Sequence, residues 1–385
     1  MRVLVLGGDG YLGWPTAMYL SSRDHHVAVC DNMIKRYWEA EVGISPLEEV
    51  PTLHTRIRRW QDLSGNAIKL FVGDIARNAR FVYRMVENFK PDALIHYAEQ
   101  PSAPFSMIDR AKCVETQVNN VTGTLNVLFA VRSVVPDCHI VKLGTMGEYG
   151  TPNIDIEEGW LHLEHNGRRD RVLFPKKPGS FYHLSKVHDS HNLEFACRVW
   201  GARATDLNQG IVYGVDTDET VIHSDLRTSF HYDAVFGTVL NRFVAQAVCG
   251  QPLTVYGRGG QTRGFLNIRD TLRCVELALN SIADAGEFRV FNQFTEQFSV
   301  NELAEHVSRV GKARGLDVAV TQIDNPRIEM EDHYYSAKHS ALESLGLKPN
   351  LLTDNIVNHM FDYVTAAQDR IDPTVIAPSI LWKQG

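Results

Sequence analysis

A strand, a glycine-rich turn, a helix and a second strand follow one another at the N-terminus of the chain. Residues 2–6, RVLVL, form a short apolar run whose branched side chains favour a buried parallel strand. The run leads directly into GGDGYLG at 7–13, and after a helix-like stretch a second apolar run, HVAVCDN at 26–32, begins. This order is typical of the opening unit of a doubly wound nucleotide-binding sheet.

The same alternation continues along the chain. Further strands are predicted at 68–74, 92–99, 139–145 and 203–214, with helices at 78–90, 114–134 and 183–201. This repeat predicts an α/β fold with a doubly wound parallel (Rossmann) sheet that has helices on both faces. The pattern then loosens, and short strands at 252–257, 265–270 and 288–293 predict a smaller, interleaved C-terminal α/β domain. We therefore expect residues 1–208 to bind a dinucleotide and residues 209–385 mainly to bind the substrate, with some segments returning to the sheet.

Two insertions interrupt the repeat. Residues 33–67 carry Lys35, Arg36, Arg56, Arg58 and Arg59, and form either a solvated helical excursion or a basic flap over an anionic ligand. Residues 160–174 hold Asn166-Gly167 between two alternating runs, which predicts a β-hairpin. Because this hairpin lies between the fifth strand and Tyr182 in the sequence, it is a candidate for a segment that overhangs the active site.

Composition narrows the class of protein. Of 385 residues, 44% are hydrophobic and 22% are charged, as in an ordinary globular chain. The net charge of −7 argues against nucleic-acid binding, and without a long apolar run no membrane insertion is expected. The six cysteines are scattered without a CxxC pair, which favours reduced thiols and no metal site. With no signal peptide, we expect a cytoplasmic protein, the mature form of a plastid stromal protein being the alternative.

The glycine turn and Asp31 together predict a dinucleotide site. The first glycine of GxxGxxG allows a tight turn, the second a close approach of the backbone to a phosphate, and the third close helix–strand packing. Asp31 ends the second strand, where a carboxylate accepts hydrogen bonds from a ribose and repels a 2′-phosphate, so NAD is favoured over NADP. Lys35 and Arg36 lie nearby and leave NADP open, and a turn without a ligand is the other alternative. The predicted cofactor-binding residues are Gly7, Gly10, Tyr11, Leu12, Gly13, Asp31, Asn32, Arg36, Asp74, Ile75, Asn119, Tyr182, Lys186 and Gln209.

A Tyr-x-x-x-Lys unit stands at the start of the predicted helix at 183–201. Tyr182 and Lys186 project from one helix face, and an ammonium beside the phenol favours phenolate, so Tyr182 can act as a base near neutrality. Thr145 ends the fifth predicted strand and can hydrogen-bond a substrate hydroxyl. The same spacing occurs on ordinary helix faces, but its order after a dinucleotide turn and a strand-terminal threonine indicates a catalytic site.

These motifs resemble those of the extended short-chain dehydrogenase/reductase family, which includes nucleotide-sugar 4-epimerases, 4,6-dehydratases and decarboxylases. The resemblance rests on GGDGYLG at 7–13, Thr145 and YHLSK at 182–186, with two βα halves and a looser C-terminal part. It implies that NAD stays bound while a sugar is oxidised at C4 and later reduced again. It also implies a homodimer formed through helices near 102–133 and 183–200.

Longer strings resemble one branch of this family, whose members join UDP-glucose to sulfite. The similarity runs from about residue 2 to the end and is more specific than the shared motifs. It implies UDP-glucose and sulfite as substrates, a 4-keto-5-ene intermediate, a UDP-sugar sulfonated at C6 as product, and NAD unchanged overall. The strings are GGDGYLGW (7–14), SAPFSMIDR (102–110), VKLGTMGEYGTPNIDIEEG (141–159), SFYHLSKVHDSHN (180–192), RATDLNQGIVYGV (203–215), GQTRGF (260–265) and FRVFNQFTEQFSVNELA (288–304).

The residues after Thr145 separate this branch from the 4,6-dehydratases. Dehydratases place an Asp-Glu pair there for proton transfer at C5 and C6, whereas this chain has Met146-Gly147 and then Glu148. His183 is either the replacement acid–base group or a histidine packed on the helix face, and Glu148 is a weaker candidate that could equally be structural. The alternative functions are an epimerase or dehydratase, and a dinucleotide-binding regulatory or RNA-associated protein that has lost catalysis.

The resemblance also implies a set of substrate contacts. Arg263 and Arg327 match phosphate-binding arginines of the epimerases, and Val255 with Tyr256 matches the strand along uracil. The family's RxGD is replaced at Arg327, which leaves Glu329 or Glu331 as the ribose-binding acid. Sulfite requires cations or N–H donors, for which Gln100, Ser102, His183 and Gln209 are candidates. The predicted substrate-binding residues are Gln100, Ser102, Thr145, Asn208, Val255, Tyr256, Gln261, Arg263, Arg327 and Glu329, and the predicted catalytic residues are Thr145, Tyr182, His183 and Lys186.

Overall fold

The computed structural model describes residues 1–327, 334–378 and 380–382. The strands are β1 (Arg2–Leu6), β2 (His26–Asp31), β3 (Ile68–Val72), β4 (Ala93–His96), β5 (His139–Thr145), β6 (Trp160–His165), β7 (Arg168–Leu173), β8 (Arg203–Gln209), β9 (Ile211–Tyr213), β10 (Leu253–Tyr256), β11 (Thr262–Asn267), β12 (Phe288–Gln293), β13 (Glu296–Ser299) and β14 (Val320–Ile323). The helices are α1 (Gly13–Ser21), α2 (Ile34–Glu41), α3 (Leu53–Ser64), α4 (Ala79–Phe89), α5 (Arg110–Gln117), α6 (Gly123–Val134), α7 (Phe181–Trp200), α8 (Val239–Val248), α9 (Ile268–Asn280), α10 (Val300–Ala313), α11 (Ser340–Ser344) and α12 (Asp354–Ala366). A π-helical turn over Val118–Thr122 joins α5 to α6 within the predicted helix 114–134.

The central sheet has the order β12-β8-β5-β4-β1-β2-β3, and each strand runs parallel to its neighbours. The apolar runs of β1 and β4 are buried because helices cover both faces of the sheet. This confirms the predicted α/β class and the doubly wound sheet. The strand order reverses between β1 and β4, so a crevice opens there at the carboxyl ends of the strands, where ligands bind in such sheets.

A second core lies beside the sheet, around α8, α10 and α12. It carries a parallel pair, β10 with β14, and a three-stranded sheet, β13-β11-β9. The predicted strand at 203–214 is divided at Gly210, because a side chain there would meet the Gly264 carbonyl at 2.5 Å. Its first part, β8, stays in the central sheet, and its second part, β9, pairs with β11.

Two of the short strands predicted for the second domain are placed differently. The strand predicted at 265–270 occupies Thr262–Asn267, and helix α9 begins at Ile268 because the Asn267 side chain caps it by accepting from the Arg269 N–H at 2.9 Å. The strand predicted at 288–293 has the expected bounds but is the edge strand β12 of the central sheet. Neither the helical cap nor the sheet partner follows from apolar periodicity alone.

The predicted hairpin is confirmed as β6 and β7, joined by Asn166 and Gly167 with φ of 50° and 73°. Its base, at Trp160 and Arg171, borders a groove with Cys197 near the end of α7 and Phe288 at the start of β12. The hairpin therefore lies toward the amino ends of the strands, and the expectation that it overhangs the active site is wrong. In the described part of the chain, none of the helices combines the length and the apolar character needed to cross a bilayer.

Candidate active site

A cleft of about 470 Å³ opens at the switch point between β1 and β4. Seven of the predicted cofactor-binding residues line it: Gly7, Gly10, Asp31, Asn32, Arg36, Ile75 and Asn119. Segments from the loops after β1, β2, β3 and β4 thus meet here, as the topology requires.

The glycine turn is packed on two sides and open on the third. Gly7 has a φ of +86°, and a Cβ at Gly13 would lie well under 3.0 Å from the Gly7 carbonyl oxygen. A Cβ at Gly10 would meet only that carbonyl, at 3.3 Å, so Gly10 leaves room for a ligand. The N-cap residue of α1, Leu12, makes no side-chain cap hydrogen bond, which leaves the first N–H groups of the helix suited to a phosphate.

Asp31 is held at the rim of the cleft by backbone donors. Its carboxylate accepts from the Asp9 N–H at 2.8 Å and from the Met33 N–H at 2.7 Å. Burial raises the pKa of Asp31, and those two N–H groups oppose the shift. The carboxylate is therefore fixed in orientation where the second strand enters the cleft.

The basic residues of the 33–67 insertion are paired with acids. Arg36 donates to Asp9 at 2.7 and 3.0 Å, and buried Arg56 also pairs with Asp9. Lys35 pairs with Glu39 and lies 2.7 Å from His231 Nε2. Carboxylates therefore neutralise these three cations, which disfavours the hypothesis of a basic flap for Lys35, Arg36 and Arg56. The segment is not merely a solvated excursion either, since α2 lines the cleft.

The other predicted cofactor residues lie around the cleft with protein partners. The Tyr11 hydroxyl donates to the Gly214 carbonyl at 2.8 Å, and Leu12 packs with Leu266 and Val212 of the second core. Asp74 accepts from Asn32 Nδ2 at 3.1 Å and caps the turn that follows β3. Gln209 donates to Thr271 at 3.3 Å. The contacts of Tyr11 and Leu12 join the glycine turn to the second core.

Helix α7 brings Tyr182, His183 and Lys186 to the end of β5. The Ser180 side chain caps the helix by accepting from the His183 N–H at 3.2 Å. Lys186 donates to the Leu143 carbonyl at 2.6 Å, and its ammonium lies 5.9 Å from the centre of the Tyr182 ring. The predicted catalytic residues of β5 and α7 thus come together, Thr145 standing two residues beyond Leu143.

The charges around Tyr182 differ from those expected. Lys186 forms a buried ion pair with Glu99. Burial, followed by the negative charges of Glu99 and Glu148, raises the pKa of Tyr182. The lowering of this pKa expected from Lys186 is therefore not seen in this arrangement, where burial is the largest cause of the raised pKa and the ammonium pairs with Glu99.

His183 packs directly on Gly147. A Cβ at Gly147 would lie well under 3.0 Å from His183 Nε2, so the imidazole fills the space that a side chain at 147 would need. Burial, followed by the positive charges of Arg327 and Arg263, lowers the pKa of His183 to about 3. The imidazole is therefore neutral, and the two predicted phosphate-binding arginines lie near enough to repel a charge on it.

The Glu148 carboxylate stabilises the fold around the end of β5. Its carboxylate caps the turn at Thr145 by accepting from the Thr145 N–H at 3.2 Å, and it pairs with Lys142 at 3.4 Å and with Lys176. Burial raises the pKa of Glu148, but Lys142 and Lys176 outweigh it and hold the pKa at about 2. Of the two readings left open, the acid–base role is therefore disfavoured, because an ionised and fully bonded carboxylate is a poor proton donor.

Several predicted substrate contacts are instead part of the protein interior. Gln100 is buried, and its N–H donates to Asn120 Oδ1 at 2.7 Å, while Ser102 donates to the Val235 carbonyl at 2.5 Å. Asn208 is buried and donates to the Tyr149 hydroxyl at 2.7 Å. These three side chains are therefore closed in by protein in this structure, and their contact with substrate stays a prediction.

Val255 and Tyr256, which are predicted to lie along uracil, are on strand β10. The Val255 side chain is buried in the second core, and the Tyr256 hydroxyl accepts from Arg242 at 2.7 Å. Gln261 donates to the Tyr256 carbonyl at 3.1 Å. Arg263 lies on β11. Glu329 and Glu331 lie outside the described residues.

Sequence reasoning missed a buried charged group beneath the active site. Lys142 Nζ lies 3.4 Å from Glu148 and 3.4 Å from Asp206, and donates to Ser190 and to the Lys186 carbonyl, each at 3.0 Å. A lysine inside the apolar run HIVKLGT was a visible signal, because a buried lysine needs an acidic partner. Glu99 in the loop after β4 had no comparable signal.

Comparisons of this chain with a family model, with relatives in sequence and with solved structures agree with one another. A model described as the NAD dependent epimerase/dehydratase family matches residues 3–292. A chloroplastic UDP-sulfoquinovose synthase of Spinacia oleracea is 55% identical over 383 residues, covering 100% of this chain and 79% of that protein. A UDP-sulfoquinovose synthase of Sulfolobus acidocaldarius is 43% identical over 387 residues, covering 100% of this chain and 98% of that one. The solved UDP-glucose 4-epimerase from Bifidobacterium longum, in complex with NAD⁺ and UDP, has a TM-score of 0.70 at 19% identity over 96% of this chain and 100% of that one, which shows a shared fold.

Proposed function

Because the chain belongs to the NAD dependent epimerase/dehydratase family, and within it to the UDP-sulfoquinovose synthases, we propose that it converts UDP-glucose and sulfite to UDP-sulfoquinovose. These synthases are the sulfite-using branch predicted from the sequence. The observation that carries the proposal is the contact of His183 with Gly147, at the point where dehydratases have a carboxylate. An epimerase or an ordinary dehydratase does not account for an imidazole built into that space.

NAD is the cofactor of this family, and the cleft fits it. Gly10 leaves an open approach to the N-terminus of α1 for a diphosphate, and Asp31 is oriented for ribose hydroxyls. When bound, NAD accepts a hydride from C4 of the sugar and later returns it. The residues proposed to bind NAD are the cofactor-binding residues predicted from the sequence, and residues 1–208 are proposed as the NAD-binding part of the chain.

Tyr182 and Thr145 are proposed to handle the proton on O4. Thr145 hydrogen-bonds the C4 hydroxyl, and Tyr182 takes the O4 proton as the hydride leaves C4, which gives a 4-keto sugar. The keto group makes the C5 proton acidic. Tyr182 returns the proton to O4 at the end of the cycle, so it acts once as base and once as acid.

His183 is proposed to move the protons at C5 and C6. A neutral imidazole accepts the C5 proton, and the C6 hydroxyl then leaves with a proton as water, forming a double bond between C5 and C6. The sulfur lone pair of sulfite forms a bond to C6, and C5 regains a proton. The balance is UDP-glucose plus bisulfite giving UDP-sulfoquinovose plus water, so the chemistry is an elimination followed by C–S bond formation.

The other parts of the proposal concern the substrate and assembly. Arg263 and Arg327 are proposed to bind the diphosphate, within the mainly UDP-sugar-binding residues 209–385.

A homodimer is proposed through α5, α6 and α7, which expose the apolar side chains of Val114, Phe129, Phe181 and Phe195, each 43–47% exposed. A plastid or cytoplasmic location remains a proposal that the sequence alone supports.

The experiment that tests the function is incubation with UDP-glucose, with and without sulfite, followed by mass spectrometry. A sulfonated UDP-sugar that appears only with sulfite supports the synthase. UDP-galactose formed without sulfite would indicate an epimerase, and a dehydrated 4-keto sugar released without sulfite would indicate a dehydratase. No conversion by protein that holds NAD would indicate a chain that has lost catalysis.

Replacing Asp31 by alanine is expected to weaken NAD binding about tenfold, because roughly 1.4 kcal/mol of hydrogen bonding to the ribose is lost. The preference for NAD over NADP is expected to shrink as well, since the carboxylate that repels a 2′-phosphate is gone. Calorimetric titration of cofactor-free protein with each dinucleotide measures both effects. Asp24→Ala, on the turn before β2, serves as control and is expected to bind NAD like the parent.

A further inference from the structure

The strap, residues 44–51, connects α2 to α3 and forms part of the wall of the cofactor cleft. Much of the remaining wall comes from the glycine turn and from the loops that follow β2, β3 and β4. A dinucleotide in this cleft is therefore bordered by the strap as well as by the carboxyl ends of the strands. The strap residues that line the cleft are Ser45, Pro46, Leu47, Glu49 and Val50.

The carboxyl end of the strap is anchored to the glycine turn. Arg36 on α2 donates to the carbonyls of Val50 and Pro51, at 2.8 and 2.9 Å. The same guanidinium donates to the Asp9 carboxylate, at 2.7 and 3.0 Å. Asp9 lies within the turn expected to bind the diphosphate, so one side chain joins two parts of the cleft wall. Buried Arg56 on α3 adds a second link, by donating to the Asp9 carbonyl at 3.1 Å.

The middle of the strap is anchored to the segment that precedes α8. The Leu47 N–H donates to the Phe230 carbonyl at 2.9 Å, and the Leu47 side chain is buried in the second core. The two carboxylate oxygens of Glu48 accept from Arg227 at 2.9 and 2.7 Å. The strap therefore links the glycine turn to the second core beside the cleft.

The amino end of the strap is held by an apolar contact. Ile44 is buried in a small cluster with Trp38 and Val235. Each anchor taken singly is modest, since an ion pair as exposed as that of Glu48 with Arg227 contributes little to stability. Together the anchors oppose movement of the strap away from the cleft.

We propose that the strap is a gate on the dinucleotide site, and that its anchors keep NAD bound from one turnover to the next. The proposal rests on the proposed function, in which the hydride taken from C4 returns to the same sugar. A reduced cofactor that left between these two steps would leave a keto sugar behind. A gate slows entry and exit together, whereas a contact with the bound cofactor slows exit alone.

The test is the exchange of NAD in Ile44→Ala/Glu48→Ala, which removes two anchors. Neither side chain belongs to the cleft wall formed by the described residues. Exit is measured by chasing radiolabelled NAD with unlabelled NAD. Entry is measured by stopped-flow mixing of cofactor-free protein with NAD, the fluorescence of Trp38 in the cleft wall giving the signal. We expect both rates to rise about tenfold or more, and the Kd to stay within about threefold of the parent.

Ile68→Ala/Glu164→Ala is the matched control. Ile68 and Ile44 are equally buried, each 5% exposed, and Glu164 pairs with Arg169 in the hairpin, away from the strap. Because neither change touches an anchor, this variant is expected to exchange NAD like the parent. Circular dichroism of both double variants checks that they fold.

An unchanged exit rate in the folded strap variant would overturn the proposal. A faster exit with unchanged entry would also overturn it, because these residues would then stabilise the complex and not a barrier. If the strap variant does not fold, Arg227→Met replaces it, and both rates are expected to rise about threefold, the usual worth of one exposed ion pair. Unchanged rates there would be equally contrary. The measurement uses neither sugar nor sulfite, so its failure is distinct from a failure to sulfonate UDP-glucose.

Discussion

Replacing His183 by alanine is expected to lower the rate of UDP-sulfoquinovose formation by about 10²- to 10⁴-fold, the usual worth of a general acid–base group. The imidazole rests on Gly147, where dehydratases have a carboxylate, and burial, followed by the positive charges of Arg327 and Arg263, lowers its pKa. Binding of NAD and UDP-glucose is expected to be retained, because the residues proposed to bind the dinucleotide and the diphosphate are other than His183. Rates are measured from the sulfonated product, and binding by calorimetry.

His188→Ala is the matched control, since His188 lies on the same helix but is exposed. It is expected to turn over like the parent. Gly147→Ala gives an independent check, because the added methyl would displace the imidazole without removing it. Near-normal sulfonation in His183→Ala would remove His183 from the mechanism and leave it a histidine packed on the helix.

Replacing Lys142 by methionine is expected to lower the free energy of unfolding by about 3–5 kcal/mol, the cost of leaving buried carboxylates without their cation. Lys142 is buried and lies 3.4 Å from both Glu148 and Asp206. It also donates to Ser190 and to the Lys186 carbonyl, so its loss disturbs the turn at Thr145 and the first turns of α7 together. Denaturant unfolding followed by circular dichroism measures the change.

Lys69→Met, on an exposed face of β3, controls for the substitution itself and is expected to change stability by no more than about 0.5 kcal/mol. A quadruple variant in which Lys142, Lys176, Glu148 and Asp206 are all replaced by apolar residues is expected to recover part of the loss, because none of the charges in these ion pairs is then left without its partner. If Lys142→Met were as stable as the parent, these carboxylates would not depend on Lys142.

The central sheet was predictable because its signals are local. Buried parallel strands such as 2–6 and 139–145 are largely apolar runs, and Gly10 and Gly13 are required by contacts with Gly7 in the same turn. The division at Gly210 was not predictable. It depends on the Gly264 carbonyl, which is more than fifty residues away in the chain.

The site was predictable only where a residue type is tied to a spacing. Tyr182 and Lys186 follow from one turn of helix, and Asp31 from the end of a strand. Asn208 was assigned to substrate because it matches a pyrophosphate or sugar contact of the relatives, yet its side chain donates to the Tyr149 hydroxyl inside the protein. Sequence similarity locates a residue in the fold but does not say which way its side chain points.

The partners of charged residues were the hardest part to foresee. Lys186 was expected to act on Tyr182 alone, whereas Glu99, eighty-seven positions earlier, pairs with it. Long-range pairing of this kind has no local pattern. The pKa of Tyr182 is raised rather than lowered, first by burial and then by the negative charge of Glu99.

The most direct measurement follows deuterium placed at C4 of UDP-glucose through a reaction with sulfite. Oxidation and re-reduction at one carbon by a cofactor that never leaves predict a product that is sulfonated at C6 and keeps its deuterium at C4. A sulfonated product that has lost this deuterium, or a C4 epimer formed with no sulfonated sugar, would contradict the synthase cycle.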